Sequence, residues 1–89
     1  MNIDFLKTAD FLQEELQAFY RVLRCGGENE ELRTAIMRLQ AVIEQVEPLA
    51  NDPGEAWRTL AMEQRWGYMR LLSHLGTASH ELKAASVSY

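Results

Sequence analysis

Three stretches of this chain place apolar residues at alternating steps of four and three, and no other feature constrains its fold as much. Phe5, Ala9, Leu12, Leu16, Phe19 and Leu23 form the first series, and Leu32, Ile36, Leu39, Ile43, Val46 and Ala50 the second. Trp57, Ala61, Gln64, Tyr68, Leu71, Leu75, Ala78 and Leu82 form the third, which has one polar member. On an α-helix such spacing gathers the apolar side chains into one stripe, the seam along which a helix packs nearly parallel or antiparallel to a neighbour. The pattern predicts an all-α fold of three helices. Short connections between them turn successive helices antiparallel, giving an up-down-up bundle. The alternative is a helical hairpin whose third helix projects into a partner subunit.

Local signals set the expected boundaries. Helix 1 is read over residues 3–24, capped by Asn2 or Asp4 through a side-chain oxygen that accepts a free backbone N–H. Cys25-Gly26-Gly27 ends it, because glycine enters the left-handed conformation without steric penalty, and Arg21 and Arg24 suit the negative end of the helix dipole. Helix 2 is read over 29–47, with Glu28, Glu30 and Glu31 at its positive end and Pro48 as its stop. Leu49-Ala50-Asn51 is then the connector. For helix 3, Asp52 at the cap, Pro53 at the first helical position and Glu55 three residues after the cap predict a start at residue 53. It runs to 76, or to 82 if Gly76 does not stop it, and residues 84–89 are expected to fray. All of this is one helical domain over 1–83.

Hydrophobic residues make up 47% of the 89 positions, more than a three-helix core of this size can cover. The surplus is visible as second series: Phe11, Ala18 and Val22 on helix 1, Ala35, Val42 and Leu49 on helix 2, and Met62, Trp66 and Met69 on helix 3. A second series can widen a core stripe or form a contact surface. On helix 3 it is read as a strip beside the main seam, flanked by Arg65 and Arg70, and Trp, Met and Arg are the residue types enriched where proteins meet. Met62, Arg65, Trp66, Met69 and Arg70 are therefore the candidate partner-binding residues, for a protein partner or for a second copy in a homo-oligomer, at least a dimer. Gln64 either faces solvent or fixes register in an oligomer. Gly67 either permits close helix approach or marks a local irregularity.

The net charge of −4 argues against nucleic-acid binding, which needs clustered cations. It is unevenly spread, at −1 over residues 1–27, −5 over 28–55 and +2 over 56–89, so an acidic second helix could pair with a basic third, or both could simply present solvated faces. No leader peptide and no apolar run near ~20 residues is seen, so no membrane span is expected and a reducing cytoplasm is the default, with export by a specialised secretion system left open.

Chemistry is sparsely provided for. The chain has no phosphate-cradling glycine loop, no H-E-x-x-H and no C-x-x-C. His74 and His80 are six residues apart and point to different faces of a helix, and neither follows a glutamate at the spacing that carboxylate-bridged metal bundles use. Cys25 follows two arginines but has no evident base to activate it. The expectation is a protein without enzymatic activity, metal or cofactor. Small acidic helical proteins of this kind recur among bacterial and phage regulators and secretion chaperones, which suggests an adaptor, chaperone or inhibitor.

The segments Tyr20-Arg21-Val22-Leu23, Ala35-Ile36 and Gly67-Tyr68-Met69 support a second reading. Over these short stretches the chain resembles phage helical-hairpin sponges that sequester cyclic nucleotides. The resemblance implies an oligomeric small-ligand binder with Arg21, Arg58 and Arg65 on the phosphate. Met37 stands where such a site would call for lysine.

Overall fold

The computed structural model describes residues 4–26, 29–51 and 58–87, and among them no strand occurs. Three helices are present: α1 (Phe5–Arg24), α2 (Asn29–Asn51) and α3 (Met62–Val87). They lie side by side in a rod of 46 × 18 × 18 Å. Glu15 of α1 meets Arg38 of α2, Ala50 at the end of α2 meets Tyr68 near the start of α3, and Phe5 at the start of α1 stacks on the same Tyr68. The topology is thus up-down-up, with α1 and α3 parallel and α2 antiparallel to both. Within one chain α3 packs on both other helices, so the projecting-helix alternative is set aside.

The seams account for the core. Phe5, Ala9, Leu12, Leu16 and Phe19 from α1 are buried against Leu39, Ile43, Val46 and Ala50 from α2 and Leu71 and Ala78 from α3. Val42, from the second series of α2, joins them, while Leu23 at the end of the first seam is exposed. Tyr68, Leu75 and Leu82 pack on this cluster half-buried.

One junction fixes how α1 lies on α3. Asp4 caps α1, its carboxylate accepting the Lys7 N–H at 3.1 Å. Gln64 then acts across the interface: its Oε1 accepts the Phe5 N–H at 2.7 Å, and its Nε2 donates to Asp4 Oδ1 at 3.2 Å. An orphan donor of a helix terminus is thereby satisfied by a side chain from another helix. The polar interruption of the third seam is neither a solvent-facing residue nor an oligomer register pin; it clamps one helix to the next inside the chain. One turn further on, Gly67 is buried, and a Cβ there would sit 2.5 Å from the Leu6 backbone nitrogen and 2.7 Å from its Cα. Gly67 therefore serves close backbone approach.

Four boundaries differ from the sequence reading. α2 does not stop at residue 47; it passes through Pro48 to Asn51. An interior proline costs about 3 kcal/mol, but Val46 and Ala50 on either side of it are buried and the Tyr68 hydroxyl donates to the Ala50 carbonyl at 2.5 Å. Ala50 belongs to the helix as its periodicity indicates. α3 begins at Met62, where the Ala61 carbonyl accepts the Gln64 and Arg65 N–H groups, and not at residue 53; a 3₁₀ turn at 58–59 and the non-helical Leu60 and Ala61 precede it. Asp52, Pro53, Glu55 and Trp57 lie outside the described residues. Gly76 does not end α3, and the expected frayed tail is helical to Val87, since Leu82 and Ala85 pack on the core beyond the glycine. Finally, α1 starts at Phe5 after an Asp4 cap; Asn2 and residue 3 lie outside the described residues. Its end is as expected, with Gly26 at φ 59°.

The acidic stretch of α2 presents Glu30, Glu31, Glu44 and Glu47 to solvent. The described ion pair joins α1 to α2 with the carboxylate on α1: the Arg38 Nε and Nη2 donate to the two oxygens of Glu15 at 2.8 and 2.9 Å.

Two glycines on one helix should respond oppositely to alanine. Gly76→Ala meets no atom within 4 Å and should stabilise by ~0.5–1 kcal/mol, the ordinary helix-propensity gain. Gly67→Ala should destabilise by ~1–3 kcal/mol, because it must push two backbones apart. Denaturant unfolding of the two variants checks both signs.

A second expectation concerns acid. The Lys7 backbone N–H and the Gln64 amide hold the Asp4 carboxyl below its ordinary 3.8, against an opposing desolvation. A carboxyl lowered on folding contributes stability that is present above 3.8 and is lost as the pH falls through its folded value. Asp4→Asn keeps a good capping side chain but removes this titration. Its unfolding free energy should fall less than that of the parent between about pH 5 and 2, read by urea melts across that range.

Candidate functional site

The outer face of α3 gathers Met62, Trp66, Met69 and Leu72 among the exposed large apolar residues, while Phe11, Leu23 and Met37 are exposed singly on α1 and α2. A helix advances about 100° per residue, so Met62, Trp66 and Met69 fall within about 60° of one another. That strip is not beside the main seam, as the sequence reading had it. It lies roughly 160° away, on the side of α3 turned from α1 and α2. The exposures agree: Met62 is 68% exposed, Trp66 60% and Met69 60%. The strip therefore adds nothing to the core of its own chain.

Its two edges differ. On one, Leu72 extends the apolar surface at 43% exposure, next to the half-buried Arg65, whose guanidinium donates to the Arg58 carbonyl at 3.2 Å. On the other edge, Glu63 and Arg70 are both exposed and sit seven residues apart, on the same side of the helix. The five residues singled out from the sequence are thus brought together on one face, and the structure adds Leu72 and Glu63 to them. The signal for both was available in the helical arithmetic: Leu72 falls three residues after Met69, and Glu63 one turn or two from its neighbours on the flank.

The other second series behave differently, except for Phe11, which is 43% exposed. Ala18 and Val22 from α1 and Ala35 from α2 face one another and line a shallow groove of about 210 Å³, walled by Phe19 and Leu39 and closed at one end by the Glu15–Arg38 pair. They widen the α1–α2 packing.

The cationic set implied by the cyclic-nucleotide resemblance is not assembled within one chain. Arg21 lies in the last turn of α1, roughly 25 Å along the rod from the first turn of α1, while Arg65 lies at the start of α3, beside that first turn, and bonds Arg58 in the 3₁₀ turn before it. Cys25 is a free exposed thiol. Among the described residues no three His, Cys, Asp or Glu side chains come together as a metal site would need, and no helix is long and apolar enough to cross a membrane.

If the strip lies outside the core, its residues can be changed without cost to folding. Trp66→Gln should shift stability by no more than about 0.5 kcal/mol, as for a surface substitution, whereas Leu71→Ala, at a fully buried position, should cost ~2–5 kcal/mol. Thermal melts by circular dichroism separate the two.

Comparison with known protein families, with curated proteins and with solved structures found no match to this chain.

Proposed function

We propose that this chain is a non-enzymatic helical interaction module, an adaptor, chaperone or inhibitor that binds a protein through the outer face of α3. The observation that carries the reading is the exposure of Met62, Trp66 and Met69 together on a face that the chain's own helices leave uncovered. A contiguous apolar patch rimmed by charge is costly to leave in water and is characteristic of a binding surface. Trp66 is the central anchor: an aromatic at the middle of such a patch, with flexible methionines on either side that adapt to the opposing surface. Arg65, Arg70 and Glu63 at the edges supply register and exclude mismatched partners. The ligand-binding reading has less support, because its cations stand at opposite ends of the bundle.

A photo-reactive amino acid in place of Met69, with Lys7 replaced in parallel as an exposed control on α1, tests this in the cell that makes the protein. Discrete protein adducts from position 69 that are absent from position 7, and that Trp66→Ala suppresses while the fold is retained, are the expected result. Equal labelling from both positions, or none from either, would overturn it.

A further inference from the structure

The interaction face of α3 is self-complementary, and we infer that its occupant is a second copy of this chain, with the two α3 helices packed antiparallel about Trp66 and Met69. This rests on the reading of that face as a protein-binding surface and names the partner.

Met62, Trp66, Met69 and Ser73 continue the alternation of four and three along the outer face of α3, which is the spacing of a two-helix seam. Set antiparallel, two such seams place Trp66 of each copy against Met69 of the other, and Met62 against Ser73. A bulky side chain is thus met by a small one in the outer layers, and an indole by a thioether in the inner ones, a pairing that sulfur and aromatic rings favour. The three large side chains, each at least 60% exposed in the single chain, become covered together.

The charges select this orientation over the other. In an antiparallel pair, residues on the same edge of the strip face each other across the interface. Glu63 and Arg70 share an edge, both exposed. Glu63 of each copy therefore meets Arg70 of the other, giving two symmetry-related ion pairs. On the opposite edge the stem of Arg65 lies along Leu72. A parallel pairing instead brings flanking residues five apart together, which sets Arg65 against Arg70, like charge against like. A symmetric dimer is also the commonest closed assembly, and its interface must be complementary to itself, as this edge is.

Charge exchange tests the pairing. In sedimentation equilibrium the parent chain should show a monomer–dimer equilibrium. Glu63→Arg and Arg70→Glu should each weaken the dimer about tenfold or more, since each sets like charges against one another twice. The double variant Glu63→Arg with Arg70→Glu should recover it, and so should an equimolar mixture of the two single variants, whose unlike edges fit. A parent chain that stays monomeric would overturn the inference, as would single variants that associate unchanged or a folded double variant that fails to recover. The adducts from position 69 keep the two readings apart. Adducts with a different protein, beside a monomeric parent chain, would leave the binding face standing and remove self-pairing; absence of adducts would remove both.

Discussion

The clamp between Gln64 and the first turn of α1 is the interaction on which the rest of the bundle depends. A helix terminus carries donors that nothing in its own backbone can satisfy, and here the Phe5 N–H is taken by Gln64 while the amide of the same side chain reaches the Asp4 carboxylate that caps the helix. The absence of a side chain at Gly67 lets the backbones approach closely enough for those bonds to form. The position that follows, Tyr68, stacks edge-on against Phe5 at 5.1 Å and passes a hydrogen bond to Ala50. Within five residues of α3, then, the start of α1 and the end of α2 are both secured, and the three seams are held in register.

How much of this the sequence disclosed depends on whether a signal was local or needed a neighbour. Burial of Leu12, Leu39 and Leu71 was legible because periodicity alone predicts it. The end of α1 was legible because Gly26 has a conformational reason to stop a helix wherever it occurs. Pro48 was misleading: its intrinsic cost is real, but the packing of Val46 and Ala50 and the Tyr68 hydroxyl outweigh it, and those partners belong to another part of the chain. Gln64 was the same problem in reverse, since a polar residue in a seam announces that something must bond to it without saying what.

The candidate face was legible in membership and misread in placement. The spacing of Met62, Trp66 and Met69 identified them as a group, and the surplus of apolar residues over what three helices can cover indicated that some group must remain outside. Their position opposite the seam follows from about 100° per residue, but a strip so placed makes sense only once α1 and α2 are both known to lie on one side of α3. An isolated amphipathic helix would not carry apolar residues on two opposed faces. α3 does: one face packs on α1 and α2, and the other is left exposed.

The parallel placement of α1 and α3 has a consequence for the order in which the chain can acquire structure. The bond that completes the first turn of α1 spans 59 residues of sequence, so it belongs to the late, loop-closing contacts and not to the fast local ones. A nascent chain that has exposed only α1 and α2 has a hairpin with a half-covered core and an unclamped first turn. Native packing of α1 must wait until the residues from Gln64 to Ala78 are available. Of these three helices, α1 is made before α3 yet has its first turn completed only by it, so the two are locked together.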